Sequence, residues 1–118
     1  MNKKEYLERV QKCEIDVKKV EEIQKIYETE FLDNFKRIIS MSEETIFLNE
    51  DRRVLSFAEI VDAETDLHIA FKDKGIIPIV DCGENDFIVY HFNDDFWSIF
   101  NIIDEAVFKK KDVLSELL

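Results

Sequence analysis

Three groups of side chains in this sequence have types and spacings that chemistry could use. Cys82 and His91 flank one turn and are the only pair that suggests a thiol nucleophile with an imidazole base. No third group to orient the base and no oxyanion donor accompanies them, so the sequence favours a cysteine at a strand end and a histidine on a sheet face. Asp81, Glu84 and Asp86 crowd around Gly83, and Asp94 and Asp95 follow in the next turn. Such carboxylates can serve acid–base catalysis, ligate a divalent ion, bond their own backbone in a turn, or form an acidic contact surface. Trp97, within the aromatic run Phe96–Phe100, is either a core residue or an anchor for a partner. The partner-contact candidates are therefore Asp81, Glu84, Asp86, Asp94, Asp95 and Trp97. No catalytic, cofactor-binding or metal-ligating set is assigned, because Cys13, Cys82, His68 and His91 do not have ligand spacing and there is no glycine-rich phosphate loop.

These side chains need elements to position them. Tyr6, Leu7 and Val10 give residues 3–12 one apolar side, and Val17, Val20, Ile23 and Tyr27 do the same for a helix over 16–27. A second helical period runs from Phe31 and Leu32 through Phe35, Ile38 and Ile39, after a break near 28–30. A strand over 45–49, a charged turn Glu50–Arg53 and a return from Val54 come next. Ser56 and Glu59 have the spacing of a capping box, which predicts a helix to about Lys74, interrupted near Ala63 and stopped by Gly75. Strands are predicted at 76–81, 87–92 and 96–103, joined by turns at Gly83–Asp86 and Asn93–Asp95. Both faces of 87–92 are apolar, so that strand is expected to be central and covered on both sides. A last helix over 112–118, capped by Asp112, completes an α+β order with a central antiparallel sheet flanked by helices. Residues 1–118 are expected to form a single domain, with the helix of residues 1–14 at its periphery.

The chain of 118 residues carries a net charge of −11, with 46% hydrophobic residues and ten phenylalanines. The charge is uneven. Residues 1–40 hold nine acids and nine bases, whereas residues 41–108 hold sixteen acids and four bases. An acidic middle repels nucleic acid and anionic lipid and favours a basic partner, or simply keeps a small protein in solution. No run approaches the roughly 18 apolar residues of a membrane span, and the N-terminus has no secretory pattern, so a cytoplasmic location is expected. The Lys109–Lys111 run reads as a solvated face.

Three segments carry a resemblance. Val20–Ser40 looks like an opening helix, a short break and a second helix. Val54–Glu64 looks like a strand end leading into a capped helix. Gly75–Phe92, GIIPIVDCGENDFIVYHF, has Ile-Pro-Ile, a glycine, then an acid opening the next strand. In this order they resemble the SUKH superfamily, over about residues 17–118. Phe31-Leu32 stands where that family usually has Leu-Pro, and Ser40-Met41-Ser42 where it often has Asn-Gly. The resemblance implies a non-enzymatic binding module. Bacterial members look like immunity proteins that bind and neutralise polymorphic toxins, many of them nucleases, and other members are regulatory scaffolds. It thus implies a basic toxin domain as partner, no cofactor, no nucleic acid or membrane partner, and a monomer or weak homodimer.

Overall fold

Local capping chemistry sets half of the helix ends. The computed structural model describes residues 1–118. Helix α1 (Lys3–Lys12) starts at Asn2, whose side chain accepts the Glu5 N–H at 2.9 Å, and α2 (Val17–Tyr27) starts at Asp16, which accepts the Lys19 N–H. Glu28, in the left-handed region, ends α2, and Gln24 Oε1 accepts the Phe31 N–H at 3.0 Å to fix the turn into α3 (Asp33–Met41). Ser56 and Glu59 form the expected reciprocal capping box at α4 (Phe57–Val61). The helix expected to run on to Lys74 is three short pieces. Helix α5 (Ala63–Leu67) follows at Asp62 and stops at His68, whose φ is 56°, before α6 (Phe71–Lys74). Gly75 ends α6 at φ 71°, a left-handed conformation that favours glycine.

The strands are β1 (Ile46–Asn49), β2 (Arg52–Val54), β3 (Ile76–Gly83), β4 (Asp86–His91), β5 (Phe96–Asn101) and β6 (Ala106–Lys111). They lie in one antiparallel sheet in chain order, β1-β2-β3-β4-β5-β6. Two sequence expectations are corrected at its margins. Arg52 and Arg53 open β2 and do not belong to the preceding turn. The meander has a further strand, β6, through the lysine run, whose side chains are exposed as expected but which lies in the sheet and does not lead into a helix. The predicted last helix is a 3-10 turn, Leu114–Glu116, with Val113 and not Asp112 before it; so few residues remain after β6 that they serve only to bury Leu114 and Leu117.

Register sorts the side chains into two faces. Ile46, Val54, Val80, Ile88, Ile99 and Phe108 form a row on one face, and Phe47, Arg53, Asp81, Phe87, Phe100 and Val107 form the matching row on the other. The first face packs on α3: Phe35 stacks on Tyr90 with ring centroids 4.2 Å apart and leans on Trp97 at 5.9 Å. The second is covered by α6, where Phe71 meets Phe100 edge-on at 6.1 Å, and faces α5, whose Ala63 and Leu67 line a small cavity together with Phe87. Strand β4 is therefore central and covered on both sides, as its two apolar faces predict. Helix α1 is not peripheral. Tyr6 is fully buried and Val10 nearly so, both within the one hydrophobic core.

The three tyrosines give this core a pH limit. Burial raises the Tyr6 phenol well above its usual range; burial and then the Glu64 charge do so for Tyr27; burial and then the hydrogen bond to Asp95 do so for Tyr90. A group raised by folding contributes stability that is fully present below its unfolded value, here the ordinary 10.0, and that is lost as pH rises past it. Alkali should therefore unfold the chain, with all three tyrosinates appearing in one cooperative step. An absorbance and circular dichroism titration checks this. Phenol ionisation in separate steps while the native spectrum persists would contradict it.

Candidate protein-binding surface

The strand register decides which candidate residues can act together. Ile76 pairs with His91 and Gly83 with Asp86, so Cys82 and His91 stand at opposite ends of the β3–β4 ladder, roughly 20 Å apart at the usual strand rise. They are not a catalytic pair. Burial raises the Cys82 thiol, the opposite of nucleophile activation. His91 Nε2 lies 2.7 Å from Ser98 Oγ, and its ring stacks on Phe96 at 3.8 Å. Burial and then Lys110 lower its pKa, with Asp94 opposing.

Asp81 is a fastening residue. Its Oδ2 accepts from Arg53 Nη2 at 3.0 Å and its Oδ1 from the Gly83 N–H at 2.8 Å. Arg53 Nη1 also donates to both Glu59 oxygens, at 2.9 and 2.8 Å, tying β2 to β3 and α4. Burial pushes Glu59 up, but bonds from Arg53, the Ser56 N–H and Thr45 outweigh it and hold the carboxyl below its usual range. Glu84 and Asn85, at φ 51° and 68°, make the two-residue hairpin turn between β3 and β4, and Gly83 supplies the expected positive φ at 79°. Asp86 Oδ1 accepts from Asn101 Nδ2 at 2.8 Å. Asp94 is exposed, and Asp95 accepts from the Tyr90 hydroxyl at 2.8 Å. Trp97 is 5% exposed, between Phe35 and Tyr90; it is a core residue and offers no contact surface.

The expected single acidic surface, uniting the Glu84 turn with the Asp94 turn, does not form. Successive turns of an antiparallel meander lie at opposite ends of the sheet. The turns that share an end with Glu84 and Asp86 are β1–β2, carrying Glu50 and Asp51, and β5–β6, carrying Asp104 and Glu105. Ile102 N–H donates to the Asn85 carbonyl at 2.9 Å, joining two of these turns directly. The Ile103 and Asp104 N–H groups both donate to Asn101 Oδ1 at 2.9 Å, which shapes the β5–β6 turn and leaves Ile103 70% exposed beside the acids. Glu105 reaches Lys74 at 2.8 Å. One end of the sheet thus carries six carboxylates from three turns in a row, with an exposed isoleucine in the β5–β6 turn. Glu50, Asp51, Asp104, Glu105 and Ile103 were not among the sequence candidates. Counting turns from the Gly83 hairpin would have found the β1–β2 pair.

No family model matches this chain, and neither a curated protein nor a solved structure matches it. No group of three or more His, Cys, Asp and Glu side chains is placed to hold a metal ion. No helix is long and apolar enough to cross a membrane.

Proposed function

We propose that this chain is a non-enzymatic binding module of SUKH type, an immunity protein that neutralises a basic, nuclease-like toxin domain. The observation that carries the reading is the acidic end of the sheet, where Glu50, Asp51, Glu84, Asp86, Asp104 and Glu105 converge from three turns. A nuclease surface that grips phosphates is cationic. A rigid row of carboxylates opposes it with complementary charge, which steers encounter, and exposed Ile103 supplies an apolar anchor within the contact. The carboxylates sit on hairpin turns pinned by a packed sheet, so little ordering is needed on binding.

Co-expression tests this. The chain should restore growth to cells producing the toxin domain encoded beside it, and the two proteins should co-purify. Failure to rescue, with pull-down of host proteins alone, would replace the reading with that of a regulatory scaffold of the same fold.

A further inference from the structure

We propose that the free edge of β6 is a self-association surface, which joins two copies of this chain into one continuous antiparallel sheet across a two-fold axis at Val107. Strand β6 ends the sheet, and all six of its residues are exposed. Val107 and Phe108 are 39% and 37% exposed, on opposite faces, so neither face of the sheet covers this edge. Unpaired backbone beside exposed apolar side chains is a template for another strand.

Register and charge select the occupant. Ile99 pairs with Phe108 and Trp97 with Lys111, so Lys109 and Lys110 together oppose Ser98 in a bulge, with Lys109 at φ 53°. An isologous antiparallel pairing keeps opposed residues on the same face. Centred on Val107, it sets Val107 against its own copy and Phe108 against the small Ala106. Beyond the ladder, the β5–β6 turn of one copy, which carries Asp104 and Glu105, then lies beside the Lys109–Lys111 end of the other. The acidic turn of each copy thus faces the lysine end of the other, twice per dimer. The other free edge cannot do this. Strand β1 is flanked by Glu43, Glu44, Glu50 and Asp51, so two such edges repel. The dimer occupies Asp104 and Glu105, two of the six carboxylates of the proposed toxin contact, and leaves Glu50, Asp51, Glu84 and Asp86 open on each copy.

Lysines and a bulge commonly guard a strand edge, and the experiment separates the two roles. Sedimentation equilibrium of the full chain at physiological salt, which screens the general repulsion between acidic copies beyond about 8 Å, should show a concentration-dependent dimer. Val107→Lys, placing two like charges on the axis, should give a monomer with an unchanged circular dichroism spectrum. Asp104→Lys or Lys111→Asp alone should weaken association about tenfold, and the two together should restore it. A monomer at every concentration would assign the lysines to guarding. A dimer indifferent to Val107→Lys, or charge reversals that fail to compensate, would overturn this edge as the interface.

Discussion

Phe35→Ala should cost about 3–5 kcal/mol of folding stability and lower the melting temperature by roughly 10–25 °C. Phe35 is 1% exposed and lies where α3 meets the centre of the sheet. Its ring stacks on Tyr90 at 4.2 Å, meets Phe31 edge-on at 4.8 Å and leans on Trp97 at 5.9 Å. Truncation removes the burial of the ring and leaves a void that three large, mutually braced neighbours cannot collapse into. A loss of this size is a fifth or more of the roughly 5–15 kcal/mol that holds a typical domain. Trp97 is the only tryptophan, so its near-ultraviolet signal reports on this cluster directly. Leu32→Ala, at a residue 58% exposed just before the same helix, should change stability by less than about 0.5 kcal/mol. Thermal melts of the two variants check the contrast. Equal shifts would mean that the Phe35 cluster is not the packing centre between helix and sheet.

The parts of the fold legible in the sequence are those where one local rule acts alone. Ser56 with Glu59 marks a helix start because both partners of the capping box are three residues apart, and Gly75 marks a stop because of its positive φ. Strand β4 reads as central because both faces are apolar. Strand β6 is different. An edge strand has solvent on one side, so Ala106–Lys111 alternates weakly and its lysines look like a solvated run. A signal was present all the same. Strands β4, β5 and β6 start at residues 86, 96 and 106, and the turns between them are built alike, with acids at 94–95 and 104–105 and positive φ at Asp95 and Glu105. The second missed feature is topological. Asp86 and Asp94 are close in sequence, yet one strand of the meander carries them to opposite ends, whereas Glu84 and Asp104 are far apart in sequence and share an end. Composition reveals that the middle of the chain is acidic; only strand parity tells which acids are neighbours. Trp97 shows a third limit, since residue type alone does not separate a core aromatic from an exposed anchor, and only its face of β5, turned toward Phe35, does.

Strand parity also yields the sharpest test of the toxin-binding reading. Glu50→Lys, Asp51→Lys and Glu84→Lys combined should slow association with the toxin domain by about 10- to 100-fold at low salt, with a smaller change in the dissociation rate. All three residues are exposed on turns, so the fold should be unaffected. The wild-type association rate should itself fall steeply with salt, because the screening length shrinks from about 30 Å at 0.01 M to about 8 Å at 0.15 M. Asp94 provides the control that separates a local surface from bulk charge. It is exposed, like Glu84, but lies at the other end of the sheet, so Asp94→Lys should leave association almost unchanged, whereas Glu84→Lys alone, with the same change in net charge, should slow it. Stopped-flow measurement across ionic strength reads both effects. If Asp94→Lys and Glu84→Lys slow binding equally, the partner responds to the overall charge of the molecule, and the convergence of three acidic turns at one end has no bearing on recognition.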